Sequence, residues 1–378
     1  MFQVLNLADV TDDLYMLCAE RLVDRLQFRG WIKKSIKIQE ATLSKFPQNV
    51  TLLKQYGLTF LILGQNERAE KIFKQVLKRD PENGHTLALY GFVLKISSEN
   101  RLEESIDFLY KGVKSRDPQA QDARFYFHLG DALQRLDRTS EAYDVYEQGV
   151  RKGFFISKYQ RSLYNVPNLK SRPWWSYAET TYEKYLKMFE NEWKIIRDEA
   201  LSLLDENRSQ FKLEDERLTN KGDWRQFTLF VKGRKVAENC LRAPRTCSLA
   251  SKIRPAATCT RGQIKFSLMR PGTKVWPHCG PTNCRLRAHL GLVVPSSSAS
   301  AGRHSPRIRV ANETRTWKSG RFIIFDDSFE HEVWYDDNND NDNENSDQNL
   351  APKFRLVLIV DFWHPDLTPE QISSLDPI

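Results

Sequence analysis

Nowhere in its 378 residues does this chain carry the roughly 18 consecutive apolar residues that a membrane-spanning helix requires. The run Phe60 to Leu63 is apolar but far too short to span, and fits a buried helix. Also missing at the start is a basic stretch leading into an apolar core. MFQVLNLADVTDDLYMLCAE carries Asp9, Asp12 and Asp13 and does not read as a secretory signal. The six cysteines include no CxxC pair, which argues against a structural zinc site. Cys240 and Cys247 flank LRAPRT, a proline-containing loop that could close as a short disulfide in an oxidising compartment. Six free thiols in a cytosolic protein is the other reading, and composition alone favours it. No sign of charge dominates strongly: 57 Lys and Arg against 49 Asp and Glu leave a net +8. That balance raises nucleic acid as a partner, but the cations are spread along the whole chain with no recognition motif, so this partner class is set aside. The N-x-S/T sequons at Asn49, Asn207 and Asn312 are candidate glycosylation sites that chance also produces.

What is there falls into two patterns. Up to about residue 155 the sequence is helical and repeats with a period near 34 residues. Tyr56, Gly57, Leu61, Ala69, Phe73, Leu77 and Pro81 define one copy; Tyr90, Gly91, Phe108 and Pro118 the next. Leu129, Gly130, Ala142, Tyr143 and Tyr146 define a third. Small residues let paired helices approach, and a DP pair ends the second helix in the first two copies. Stacked helix pairs serve either as scaffold or as a peptide-docking face. Residues 156–205 read as a helical connector containing the aromatic stretch RPWW. Beyond about residue 205 the period becomes two: RQFTLFVK, QIKFSLM, RLRAHLGLVVP, RIRVAN, RFIIFDD, HEVWY and KFRLVLIVDFW all read as strands. Seven short strands over residues 206–378 imply an all-β barrel or jelly roll. Ser296–Arg307 and Asp336–Asn349 are polar inserts between strands with little apolar surface to order them.

Strand alternation decides which side chains meet. In RLRAHL, Arg285, Arg287 and His289 share one face; in QIKFSLM, Lys265, Ser267 and Met269 do. Arg355 shares a face with Val357 and Ile359, a lone guanidinium in an apolar row. Taken singly, each is better read as a side chain reaching water at a barrel mouth. Three converging cationic strands favour an anion pocket. His278 sits in the turn-like VWPHCGPTN and His331 at the start of HEVWY. A histidine in a turn is usually just a polar loop residue. Two of them at strand ends beside an anion pocket suggest a non-haem iron site with a bidentate acid cosubstrate.

The runs HCGPTNCRLRAHLGLVVP, ANETRTWKSGRFIIFDDSFEHEVW and FRLVLIVDFWHPDLTPEQ resemble the aspartyl/asparaginyl β-hydroxylase family. So do SLYNVPNLKSRPWW, LEDERLTNKGDWRQFTLF and CLRAPRTC, and the likeness covers nearly the whole chain. The resemblance implies a double-stranded β-helix (jelly-roll) domain after tetratricopeptide-like repeats. It implies a 2-oxoglutarate- and Fe(II)-dependent dioxygenase that hydroxylates Asp or Asn in epidermal-growth-factor-like domains, in the endoplasmic reticulum lumen. His278 and His331 match the iron ligands. Arg355 and Ser267 match the groups on the distal carboxylate of 2-oxoglutarate, Arg287, Ala288 and His289 those toward its metal-binding end, and Trp224 a further contact. Asp215, Glu216, Gln226, Lys265, Pro281, Arg285 and Asp327 fall where the family holds substrate. Gly280 stands where most enzymes of this class carry a carboxylate ligand; in this family water is thought to replace it, and Asp326 or Asp327 could hold that water. Thr219 replaces a usual arginine and Cys279 a usual threonine. The family's N-terminal membrane anchor has no counterpart in these residues. A non-catalytic peptide-binding adaptor with a relic barrel is the competing class, weakened by the retention of both histidines. A zinc hydrolase is weakened by the want of a third protein ligand and a general base.

Overall fold

The computed structural model describes residues 11–97, 101–204, 210–214, 216, 218–295, 305–336 and 354–378. Asn207, Asp215 and most of both polar inserts lie outside the described residues. The chain divides between Phe154 and Phe155 into two compact units.

The first unit is four antiparallel helix pairs: α1 (Asp12–Phe28) with α2 (Ile32–Lys45), α3 (Val50–Ile62) with α4 (Asn66–Arg79), α5 (Gly84–Ser97) with α6 (Leu102–Lys114), and α7 (Ala123–Arg135) with α8 (Thr139–Arg151). The repeat glycines sit where helix meets helix. A Cβ at Gly57 would stand 2.6 Å from the Phe73 ring, and one at Gly130 would stand 2.1 Å from the Tyr146 ring. Phe73 and Tyr146 are correspondingly buried. The pair α1–α2 extends the three copies read from sequence. Val23, one period before Gly57, occupies the position that marks the other pairs, so the first pair packs without the signature that betrays them.

The second unit is two facing antiparallel sheets with a helical layer. The larger sheet runs in the order β1 (Lys212–Leu213), β3 (Trp224–Val231), β5 (Gln263–Met269), β12 (Arg355–Trp363), β7 (Arg285–Val293), β10 (Phe322–Phe325), with β4 (Arg234–Lys235) paired to β3. The smaller runs β2 (Thr219–Lys221), β6 (Thr273–His278), β11 (His331–Tyr335), β8 (Arg307–Val310), β9 (Glu313–Thr316). This is the double-stranded β-helix expected. Alternation sorts the larger sheet into two faces. Leu286, Ala288, Leu290, Leu356, Leu358, Val360, Phe266 and Leu268 pack with helices in one core. Met269, Val357 and Ile359 meet Val275, Ile308, Val310, Val333 and Tyr335 of the smaller sheet in another.

The helices of segment 156–205, α9 (Glu183–Asn191) and α10 (Trp193–Ser202), bury Leu186, Phe189, Ile196 and Ala200 in the helix-side core. They are a layer of the second unit. The stretch between Cys240 and Cys247 is not a loop. It spans α11 (Ala237–Arg242) and the start of α12 (Pro244–Lys252), with Pro244 in the first turn, where its missing N–H costs nothing. The two cysteines form a disulfide between these helices, with Cα atoms 5.6 Å apart.

Candidate active site

His278 ends β6 rather than lying in a turn, and its Cα partner across the ladder is His331, the first residue of β11. Pro277 has no N–H to give the ladder. The register between β6 and β11 is irregular there, between the pairs His331–His278 and Val333–Val275, so the missing N–H falls at a bulge. The two imidazole centroids are 4.1 Å apart. His278 Nδ1 donates to Trp276 O at 2.7 Å and His331 Nδ1 to Phe329 O at 2.9 Å. Because a carbonyl only accepts, both protons are fixed on Nδ1, leaving each Nε2 with its lone pair. Burial holds both rings well toward the neutral form; Arg287 adds to this at His278, and His278 itself at His331. Glu216 acts the other way on His278.

Across the barrel, on the inner face of the larger sheet, Arg355 is buried. Its Nη2 donates to Ser267 Oγ at 2.9 Å, and its guanidinium lies 4.7 Å over the Trp317 ring. Ser267 Oγ also accepts from Trp224 Nε1 at 2.9 Å, so its own proton is left to donate elsewhere. Arg355 Nε has no partner, and among the described residues no carboxylate pairs with this cation. Burial pushes its pKa down to about 9. His289, its neighbour on β7, has both ring nitrogens buried and unpartnered, lies nearly parallel to Trp317, and is kept neutral by burial and by Arg355. These are the marks of a missing anion.

The other cations of this face are already matched. Arg285 pairs with Asp327 at 2.6 Å, and Arg287 pairs with Asp361 through Nε at 2.7 Å and Nη2 at 2.9 Å. Longer contacts of 3.4 Å cross-link the two pairs. Burial opposes the charges on Asp327 and Asp361, but Arg285 and Arg287 outweigh it and hold both pKa values low. Lys265 bonds Gln226 at 2.6 Å and Glu214 at 3.2 Å. Lys265, Gln226, Arg285 and Asp327, expected to hold substrate, therefore bond one another or their neighbours. Pro281 contributes its carbonyl to Leu163 N and Tyr164 N. The Ala288 methyl packs in the helix-side core, away from the histidines, because it has the opposite parity to Arg287 and His289. Gly280 is explained by Asp327: a Cβ there would lie 2.5 Å from its carboxylate.

Sequence reasoning passed over Asp361, Trp317, Glu214 and the pair Arg161–Glu330. Asp361 could have been found, since it shares strand parity with Arg355. The rest lie far along the chain from their partners and carried no local signal. Asp326 keeps one carboxylate oxygen on Ser328 and the other buried without a partner, and burial raises its pKa to about 8.

Comparison with known proteins bears directly on this arrangement. The model described as Aspartyl/Asparaginyl beta-hydroxylase matches residues 190–365, and one for the tetratricopeptide repeat matches 54–83 and 123–151. The aspartyl/asparaginyl beta-hydroxylase of Mus musculus is 47% identical over 373 residues, covering 99% of this chain and 47% of that protein. This chain belongs to the aspartyl/asparaginyl beta-hydroxylase family. It spans about half the length of the curated relatives it matches over its whole extent. An ornithine lipid ester-linked acyl 2-hydroxylase of Rhizobium tropici is 34% identical over 151 residues, 40% of this chain and 45% of that protein. A crystal structure of MamA protein aligns with TM-score 0.34 at 20% identity, over 38% of this chain and 77% of that one.

For a member of the aspartyl/asparaginyl beta-hydroxylase family, the arrangement suits a divalent cation held by few protein groups. Among the described residues no cluster of three or more His, Cys, Asp or Glu side chains could cage a metal. His278 and His331, with ring centroids 4.1 Å apart and Nε2 unprotonated, would hold such an ion, and small ligands would supply the rest of its coordination.

Proposed function

We propose that this chain hydroxylates an aspartyl or asparaginyl side chain of a protein substrate, using Fe(II), O₂ and 2-oxoglutarate. The observation that carries this reading is Arg355. A buried guanidinium bonded to a serine hydroxyl, with no carboxylate among the described residues to balance it, is costly unless a carboxylate ligand arrives. A relic barrel would have no use for that arrangement.

His278 and His331 would hold the iron through Nε2, with Nδ1–H anchored on backbone carbonyls so that neither ring can turn. Arg355 and Ser267 would bind the distal carboxylate of 2-oxoglutarate, and the Trp224 indole orients the serine hydroxyl for it. Neutral His289 offers one N–H to an acid oxygen without adding a second buried charge. The Asp327 carboxylate fills the space where a side chain on residue 280 would begin, so a bound metal would take water rather than a carboxylate from that position. When bound, Fe(II) and 2-oxoglutarate supply oxidising power from O₂, releasing succinate and CO₂. The buried rings of Trp317 and Phe325 pack against His289 on two sides and would keep a ligand there away from bulk water.

An epidermal-growth-factor-like domain is the proposed substrate, and the endoplasmic reticulum lumen the proposed location. The Cys240–Cys247 disulfide supports an oxidising compartment. Asn312 stands exposed in the β8–β9 turn as a sugar acceptor would, whereas Asn49 spends its side chain capping α3. The name of the Rhizobium tropici relative carries a lipid substrate, so substrate class needs its own test. Incubation with an epidermal-growth-factor-like domain, Fe(II) and 2-oxoglutarate should add one oxygen atom confined to Asp or Asn, with equimolar succinate. Succinate release with no peptide product would retain the oxygenase and reject the substrate. No succinate from any protein substrate would reject the reading.

A further inference from the structure

Both histidines are held from outside the ladder by one short segment, Ser157–Asn165. On one side it grips the loop that follows His278. Leu163 N and Tyr164 N both donate to Pro281 O, at 3.2 and 3.0 Å, and Thr282 Oγ1 donates to Tyr164 O at 2.7 Å. Asn283 N donates to Asn165 Oδ1 at 3.2 Å. On the other side it grips the loop that leads into His331. Gln160 forms a β-bridge with Phe329, and its Nε2 donates to Ser328 Oγ at 2.9 Å. Glu330 N donates to Tyr159 O, and Arg161 Nη2 pairs with Glu330 Oε2 at 2.8 Å. Both members of that ion pair are essentially inaccessible to solvent, and Arg309 holds the second carboxylate oxygen of Glu330 at 3.0 Å.

The ladder alone does not fix the spacing of the two imidazoles. β11 keeps a regular register with β8 from His331 on, but its register with β6, the strand that carries His278, is irregular between His331–His278 and Val333–Val275. A site with two protein ligands has no third to correct an error in their separation. We propose that Arg161 is a positioning residue for the metal site: through Glu330 it locks segment Ser157–Asn165 across both histidine-bearing loops and sets the distance between the two Nε2 atoms. This rests on the reading of His278 and His331 as metal ligands.

The test uses the 378-residue chain, metal-free, titrated with Co(II) and followed by its visible absorption, so that no turnover is needed. Arg161→Gln removes the charge, leaving Glu330 with Arg309. Its Co(II) band should shift and its affinity should fall about 10- to 100-fold, the usual effect of losing an outer support of a metal ligand. Arg161→Lys should recover part of both. A double Cys240→Ser, Cys247→Ser variant controls for general destabilisation of the same unit. It should lower Tm while leaving the band and the affinity at wild-type values. If Arg161→Gln does not fold, Gln160→Met removes the neighbouring bond to Ser328 without stranding a charge and should move the band in the same direction. An unchanged band and affinity in a folded Arg161→Gln, or in Gln160→Met where it stands in, overturns the proposal. So does a band shift of equal size in the cysteine variant. A wild-type protein whose Co(II) spectrum is identical to that of His278→Ala instead removes the metal reading, and this inference with it.

Discussion

At Arg355 an apolar row is interrupted by a cation whose only protein hydrogen-bond partner among the described residues is a hydroxyl, while Lys265, Arg285 and Arg287 each have carboxylates. That contrast separates a group awaiting a ligand from groups that stiffen the barrel. Arg355→Ala should raise the 2-oxoglutarate requirement by roughly 10- to 100-fold, the equivalent of about 1.5–3 kcal/mol for a charged hydrogen bond. The KM for substrate peptide should change little; equal rises in both would move Arg355 away from the cosubstrate. Gly280 offers a second single-residue test. Gly280→Asp places a carboxylate at the position most enzymes of this class use, but its Cβ would meet the Asp327 carboxylate at 2.5 Å, and two buried anions would compete for Arg285 and Arg287. The variant should lose succinate formation and gain no metal affinity. Tighter Fe(II) binding with retained turnover would mean that the space is free. Parity along strands made Arg355, Arg287 and His289 legible from sequence alone. It could not tell which cations the fold had already neutralised, because Asp327 lies 42 residues from Arg285 and Asp361 lies 74 from Arg287.

Elements were legible where one period ran cleanly. β5 and β11 match the strands read from the sequence end to end, and β12 begins at Arg355, one residue after Phe354, with Lys353 outside the described residues. β6 was hidden by Pro277, and α11–α12 by the proline that starts the second helix. The first helix pair was hidden by the lack of the repeat glycine. Within α7 the repeat pattern also conceals a titratable cluster. His128 packs against Phe92 and Phe127, and Lys95 bonds both its Nδ1, at 3.3 Å, and Asp131. Burial first, then Lys95, lowers the His128 pKa from 6.5 to about 3, with Arg124 and Arg135 adding to it and Asp131 opposing. The unfolded chain therefore binds a proton near pH 6.5 that the folded repeats refuse until about pH 3. Stability from this residue is complete above 6.5 and is lost as pH falls through that window, by at most about 1.4 kcal/mol per pH unit. Amide exchange in α7, corrected for intrinsic rates, should show opening becoming easier from pH 7 to 4.5. His128→Phe should flatten that trend. The same pH dependence in both proteins would place the sensitivity elsewhere.

At the scale of the molecule, the switch from helical to alternating periodicity announced two architectures, but not that the helices of segment 156–205 belong with the second. Leu186, Phe189, Ile196 and Ala200 read equally well as a connector; only their burial against the larger sheet assigns them. The division between Phe154 and Phe155 has a functional consequence, because every candidate metal and cosubstrate group is in the second unit and so is segment Ser157–Asn165. Its hydrogen bonds to Pro281 and Glu330 are internal to that unit and do not need the repeats. A protein beginning at Phe155 should then keep its iron affinity and 2-oxoglutarate binding once circular dichroism confirms that it folds. If the proposed function holds, it should release succinate slowly without coupled hydroxylation. If the helix pairs capture substrate, as stacked repeats commonly do, KM for an epidermal-growth-factor-like domain should rise steeply while the 2-oxoglutarate requirement stays put. The split between the two constants is what makes the result diagnostic. A general loss of structure would damage both, loss of a docking surface only the first. An unchanged KM in the folded truncation would show that the barrel alone recognises its substrate and leave the repeats to another partner.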